Sequence, residues 1–294
     1  MTAITTRFLE AAPWPGYALV DIGGGRKLER FGRVLVDRPE PQALWRRGAA
    51  ERWAAADLRF EAAEDDEKGA WSTRAGMPRD WSVPYEGLAI ACRATSFRHV
   101  GIFPEQAPHW AWLAETLAAA RQPSVLNLFG YTGVASLVAA RAGASVTHVD
   151  ASKKAIAWAR ENQAASGLEG LPIRWICDDA SAFVAREVRR GRRYDAIILD
   201  PPTYGRGPGG EVWRLFEDLP RLLEGCAHLL AERPLFVLLS VYALRLSFLS
   251  VAELLADLDH PAAAAIEAGE LVVRAETGGR RFATSLYARW STLG

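Results

Sequence analysis

The chain has 294 residues, half of them hydrophobic and about a quarter charged, enough for one large core and a smaller companion domain. Its 35 basic residues balance 35 acidic ones, which excludes attraction to a nucleic acid by overall charge and leaves any such binding to a local patch. Three scattered cysteines with no CxxC pair argue against a disulfide framework or a metal site, and no leader or apolar run long enough to span a membrane is seen, so a cytoplasmic protein without membrane or metal partners is expected.

Residues 1–112 are irregular and rich in Trp, Pro and Gly. Tyr17–Asp21, followed by Ile22-Gly23-Gly24-Gly25, reads as a strand and turn, with Phe31–Asp37 as the partner strand. Glu61–Lys68 (EAAEDDEK) reads as a solvated loop, and Trp81–Arg93 and Thr95–Phe103 as strands. This part is expected to be a small β-rich region with few helices, a candidate for substrate recognition.

Residues 113–294 alternate regularly. Strands are expected at 124–129, 145–149, 172–176, 194–199 and 235–240. Helices are expected at 134–142, 153–165, 180–190 and about 215–230, the first three ending at Gly143, Gly167 and Gly191. Two further strands, 271–275 and 283–290, flank Thr277-Gly278-Gly279-Arg280 and suit an antiparallel hairpin. The expected fold is α/β: a Rossmann-like, doubly wound, mainly parallel seven-stranded sheet with an antiparallel C-terminal strand.

The first of these strands runs into Asn127-Leu128-Phe129-Gly130-Tyr131-Thr132-Gly133. Glycines at a strand-to-helix turn let the backbone approach a ligand, and in a doubly wound sheet that turn lies at the ligand-binding edge. Asp150 ends the second strand, twenty residues after Gly130, where a carboxylate accepts bonds from ribose hydroxyls. This pair alone fits a nicotinamide dinucleotide, S-adenosylmethionine, or a plain turn with Asp150 capping the next helix. Cys177-Asp178-Asp179-Ala180 then brings an acid to the third strand end, suited to an adenine amine or to a helix cap. Leu199-Asp200-Pro201-Pro202-Thr203-Tyr204-Gly205 ends the fourth. Four consecutive strands thus deliver polar groups to one edge. The full G-x-G-x-x-G of a dinucleotide site is missing, because Asn127 stands where its first glycine belongs.

NLFGYTG, VDAS, CDDA and DPPTYG, in this order and spacing, resemble the class I S-adenosylmethionine-dependent methyltransferases. More narrowly, they resemble the group that methylates large-subunit ribosomal RNA at cytosine C5 or guanine N7. The resemblance covers about residues 100–294 and implies the following roles. Asn127, Phe129, Gly130, Tyr131, Thr132 and Gly133 cradle the methionine part of the cofactor. Asp150 and Ala151 hold the ribose, with Lys153 near the adenosine rim. Asp179, or Asp178, with Ala180, reads the adenine. Asp200, Pro201 and Pro202 lie beside the methyl group. Gly101–Gln106 resembles the segment preceding that domain, with Gln106 closing the cofactor site and Ala107 standing where the group carries an arginine.

The group's C5 enzymes use a cysteine near the end of the fifth strand. Here that place reads Leu239-Ser240-Val241-Tyr242, while Cys226 lies among apolar helix residues and Cys177 lies on the adenine side. No thiol is placed to add to a pyrimidine, which favours direct displacement by a nitrogen, with Asp200, the Pro201 carbonyl and a stacking Tyr204 as the acceptor-side groups. Candidate phosphate-tracking cations are Arg186, Arg189, Arg190, Arg192 and Arg193, then Arg26, Lys27, Arg30 and Arg33, and Arg206 beside the corner. Ribosomal RNA is the expected partner. A protein or small-molecule acceptor and a non-catalytic nucleotide- or RNA-binding module remain open, as does the oligomeric state.

Overall fold

The computed structural model describes residues 4–48, 50–63, 68–242, 246–258 and 264–292. The chain begins with β1 (Ile4–Ala11), β2 (Tyr17–Gly23), β3 (Arg26–Phe31) and β4 (Val34–Pro39). A short helix α1 (Ala50–Ala54) precedes β5 (Leu58–Ala62), β6 (Gly69–Thr73), β7 (Asp80–Tyr85) and β8 (Leu88–Arg93). After a 3-10 turn at Pro104–Gln106 come α2 (Ala107–Ala118), β9 (Ser124–Leu128), α3 (Val134–Arg141), β10 (Ser145–Asp150), α4 (Lys153–Ala165), β11 (Ile173–Cys177) and α5 (Ala180–Arg189). Then follow β12 (Ala196–Leu199), β13 (Tyr204–Arg206), β14 (Val212–Arg214), α6 (Leu215–Ala227), β15 (Phe236–Tyr242), α7 (Phe248–Ala256), β16 (Ala265–Arg274) and β17 (Arg281–Ser291).

Two compact units result. The first comprises Met1–Leu9, Pro108–Leu271 and Ala283–Gly294, the second Glu10–Ala107 and Val272–Phe282.

The first unit is built on an eight-stranded sheet in the order β1-β16-β17-β15-β12-β9-β10-β11. The five strands from β11 to β15 run parallel, and β17 returns antiparallel beside β15. The parallel strands read as apolar runs because helices cover them: Ala196–Leu199 and Phe236–Val241 are buried throughout. Leu126, Leu128, Ile197, Leu199, Val237 and Leu239 share one core cluster with Phe183, Leu219 and Leu223 from the covering helices. Burying a side chain of this size contributes roughly 1.5–3 kcal/mol. The expected seven strands are joined by an eighth, β1. Its outward-facing residues are polar or exposed, so it carries no buried-strand pattern.

The second unit holds a five-stranded sheet, β2-β3-β4-β5-β6, and the hairpin β7–β8. Two expectations are corrected here. The partner of β2 is β3, which starts straight after the glycines at Arg26 rather than at Phe31. Trp81–Arg93 is strand as expected, folded into a hairpin with Glu86-Gly87 at its turn. Thr95–Phe103 makes one isolated bridge, Phe97 with Lys68, and no strand. Of the expected loop Glu61–Lys68, residues 61 and 62 finish β5, and 64–67 lie outside the described residues.

The expected basic patch of this unit is neutralised at two of its four cations, Arg26 and Lys27. Arg26 is 2.5 Å from Asp37, Lys27 is 3.4 Å from Glu40, and Arg30 donates to the carbonyls of Pro15 and Gly32. No described helix is long and apolar enough to cross a membrane.

Candidate active site

The register of the parallel strands sets four chain exits at nearly one height. Leu128 of β9 lies opposite Val149 of β10 and Leu199 of β12, while Asp150 lies opposite Cys177 of β11. Phe129, Asp150, Asp178 and Asp200 therefore leave the sheet side by side. At about 4.8 Å per strand, the edge from β11 to β12 measures roughly 14 Å. β9 sits centrally, with β10 and β12 on opposite sides, so its exit is the point where the strand order reverses and a crevice opens.

The turn at that point is strained. Phe129 (φ 58°) and Tyr131 (φ 49°) both adopt the left-handed conformation, which costs a side-chain-bearing residue about 1–3 kcal/mol. Gly133 (φ 85°) precedes α3, and a Cβ there would lie 2.9 Å from Ala159 and 3.0 Å from Trp175. Backbone and side-chain bonds hold the turn. Gly130 N donates to Val149 O (3.1 Å) and Gly133 N to Gly130 O (3.0 Å). Asn162 Nδ2 donates to Thr132 O (2.9 Å), and Tyr131 N to Asp150 Oδ2 (2.9 Å).

Beneath the turn runs a buried polar chain. Asn127 Nδ2 donates to Ser136 Oγ (2.9 Å), which is also 2.9 Å from His148 Nδ1. All three residues are at most 2% exposed. Burial pushes the His148 pKa down to about 3, so the imidazole is neutral and acts as a polar support. A Cβ on Gly130 would fall 2.3 Å from His148 Cε1, so this position has no room for a side chain.

Asp150 is the best-placed acid. Its Oδ1 accepts from Ser152 N (2.8 Å) and its Oδ2 from Tyr131 N. Burial raises its pKa, and these two amide bonds act against that rise. Each oxygen retains acceptor capacity, enough for two vicinal hydroxyls. The cap of α4 is Ser152, whose Oγ accepts from Ala155 N, so the alternative of Asp150 as cap is corrected. Its neighbours on β11 are also engaged. Asp179 caps α5 by accepting from Ala182 N (2.8 Å), whereas Asp178 accepts from Asp179 N and pairs with Arg186.

Of the other expected liners, Phe129, Gly130, Tyr131, Ala151 and Asp200 are partly exposed, and Lys153 is exposed. Asn127, Thr132 and Ala180 are not open as side chains, being 2%, 2% and 4% exposed. They support the edge from within: Asn127 through Ser136, Thr132 through its carbonyl, and Ala180 in the core cluster. Gln106 belongs to the second unit, buried at the end of the 3-10 turn.

After Asp200 the chain forms a small flap. Pro201 is buried, Pro202 is exposed, and β13 and β14 pair as a hairpin on which Tyr204 is 53% exposed. Trp213, absent from the sequence expectations, fixes this flap. Its Nε1 donates to Pro202 O (2.7 Å), and its ring lies 4.9 Å from that of Phe129. An isolated Trp twelve residues past Pro201 carries no signal by itself. The Cys226 thiol on α6 is fully buried, with its pKa pushed up to about 12, and Cys177 Sγ rests 3.6 Å from Ala151 O on the far side of β9. The arginines of α5 are partly neutralised, Arg186 by Asp178 and Arg190 by Glu187.

A doubly wound sheet with a strained loop at its reversal point, a ribose-suited carboxylate beside it and further acids on both flanks defines an adenosine-cofactor enzyme of the α/β class. The donor set fits that group: a partly exposed carboxylate and a partly exposed turn, over buried supports in which Asn127, Ser136 and His148 Nδ1 bond one another.

Comparison with known proteins agrees. The family described as Conserved hypothetical protein 95 matches residues 109–225. The crystal structure of the SAM-dependent methyltransferase from Agrobacterium tumefaciens is 47% identical, with TM-score 0.93 over 98% of this chain and 95% of that one. The structure of SMU.776 complexed with SAH shares the fold at 17% identity, with TM-score 0.74 over 95% of this chain and 76% of that one. Ribosomal RNA large subunit methyltransferase K/L of Shewanella frigidimarina is 39% identical over 114 residues, which are 38% of this chain and 16% of that protein. The chain thus spans a small part of the curated relatives it matches. It belongs to the S-adenosylmethionine-dependent methyltransferases.

Proposed function

We propose that this chain methylates a base nitrogen of RNA, with ribosomal RNA as the favoured acceptor, in the cytoplasm and by direct displacement. The observation that carries this reading is the corner itself. Asp200-Pro201-Pro202 leaves β12 one strand away from the strained turn, with an exposed Tyr204 following and the Cys226 thiol buried away from solvent. The name of the Shewanella relative supports an RNA acceptor.

Bound S-adenosylmethionine supplies an electrophilic methyl group on a sulfonium. Phe129, Gly130 and Tyr131 hold its amino-acid end, Asp150 and Ala151 its ribose, and Asp178 or Asp179 its adenine. Asp200 and the Pro201 carbonyl accept N–H bonds from an exocyclic or amide nitrogen and so localise its lone pair. A ring nitrogen such as guanine N7 needs no such help and relies on positioning alone. The fixed φ of Pro201 and Pro202 keeps this wall stiff. Tyr204 stacks on the acceptor base. The second unit, residues 10–107 with 272–282, contributes substrate recognition.

The test is Asp200→Ala. Methyl transfer is expected to be lost while calorimetry shows S-adenosylmethionine binding retained, and unchanged transfer would refute the role. Mass spectrometry of ribosomal RNA nucleosides from cells with and without the gene identifies the acceptor. The zero net charge of the chain favours one second reading, a protein or small-molecule acceptor, which predicts unchanged nucleosides and label in those fractions instead.

A further inference from the structure

The flap after Asp200 is an antiparallel pair with a definite register: Tyr204 opposite Arg214, Gly205 opposite Trp213, Arg206 opposite Val212. Directly opposed residues share a face, and alternate residues share it too. Tyr204, Arg206, Val212 and Arg214 therefore form one face, and Gly205 and Trp213 the other. The two faces differ sharply. Trp213 is 4% exposed and tied to Pro202 and Phe129, whereas all four residues of the opposite face are exposed.

The charges on the exposed face are unequal. Arg214 is 3.3 Å from Glu217, an exposed pair of small energetic weight. The Glu211 carboxylate accepts from Gly209 N at the hairpin tip. Arg206 has no acidic partner among the described residues. A cation and a half-exposed aromatic ring thus stand two residues apart, held against the corner by the tryptophan beneath them. Such a pair complements a chain that is both anionic and planar: phosphate for the guanidinium, a base for the ring.

We infer that this face is a docking strip for single-stranded RNA, with Tyr204 under the acceptor base and Arg206 on the phosphate chain next to it, an inference that rests on the RNA reading above. Trp213 Nε1 donates to Pro202 O and Leu215 N to Thr203 O, so the strip is fastened to the Pro-Pro wall at the base of the hairpin. RNA held there enters the corner in a fixed register. The arginines at the end of α5 play no part in it.

The experiment uses the full chain and a fluorescent single-stranded RNA of about 12 nucleotides, within the footprint of such surfaces. Arg206→Gln is expected to reduce the slope of log affinity against log salt by about 0.7, the share of one phosphate on a single strand. Tyr204→Ala is expected to weaken binding about five- to 150-fold, the share of one stacked base. Arg189→Gln, at the α5 end, should bind as the wild type does. Calorimetry with S-adenosylmethionine checks that both flap variants are folded. If wild type binds and methylates RNA while both flap variants match it, the strip is overturned and the RNA reading stands. If wild type methylates a protein or small molecule and neither binds nor methylates RNA, the RNA reading fails and the strip with it.

Discussion

Substituting Gly130 by alanine places one methyl group where the structure has no space. The new Cβ would lie 2.3 Å from His148 Cε1 and 2.5 Å from Nδ1, whereas carbon atoms rest at about 3.5–4.0 Å. The imidazole has nowhere to go. It is fully buried, held by Ser136 at 2.9 Å, and packed against Trp175 with ring centroids 4.6 Å apart. The turn must move instead, by about an ångström, and overpacking of this kind costs about 1–3 kcal/mol. Tyr131 N would move with it, away from Asp150. Borne wholly by the cofactor-bound state, that cost lowers S-adenosylmethionine affinity about five- to 150-fold. Borne by the fold, it lowers the urea midpoint. Calorimetric titration and urea unfolding on the same variant measure both. Gly170→Ala is the control, because Gly170 is exposed with nothing within 4 Å of an added Cβ. If Gly130→Ala matches wild type in both affinity and midpoint, the turn is not braced by His148 and the reasoning fails.

Asp150→Asn keeps the shape but turns an amide NH2 toward one of the two backbone donors at Tyr131 and Ser152, and loses the charge. Bonds to a charged group are worth about 1.5–3 kcal/mol, so affinity for S-adenosylmethionine should fall about ten- to 150-fold by calorimetry, and an unchanged affinity would remove Asp150 from the ribose site. Burial holds His109 neutral, with its pKa pushed down to about 3, against an unfolded value near 6.5. The unfolded chain then binds a proton that the folded chain refuses. Stability is lost as pH falls from about 6.5 toward 3, by about 2 kcal/mol at pH 5 for this one histidine. His109→Phe, which keeps a ring against Tyr287, should shrink the drop in urea-unfolding free energy between pH 7 and pH 5 by that amount, and an undiminished drop would count against a neutral His109. Cys177→Ala should retain methyl transfer in a tritium assay. Loss of turnover with cofactor binding intact would revive a thiol mechanism.

What could be read from the sequence follows a physical division. α4 was expected at 153–165 and lies there, because Ser152 supplies a cap and Gly167 a stop, both local signals. The parallel strands were legible as largely apolar runs spaced by helices, whereas their order across the sheet is set by long-range pairing. β1, by contrast, joins the sheet beside β16, through a pairing with residues some 260 positions later that no local pattern encodes. α2 escaped because its three aromatic and histidine side chains (His109, Trp110 and Trp112) masked a helical period and the expected boundary at 112 cut through it. The basic stretch at Arg26 and Lys27 looked available because charge in a sequence shows no partner. Asp37 and Glu40 supply partners through strand pairing.

The same division explains the site. The motif residues arrive at the expected edge, since strand ends are legible, but the direction of each side chain is not. Asn127 and Phe129 belong to one motif and do opposite work, one buried on Ser136 and the other partly open above Trp213. Adjacent Asp178 and Asp179 divide in the same way, between an ion pair and a helix cap. Trp213 shows what a motif leaves out. It meets Phe129 across 84 residues of sequence, bonds the Pro202 carbonyl, and so joins the turn after β9 to the corner after β12. The turn after β9 and the corner after β12 are thus tied together by a residue that none of the four motifs contains.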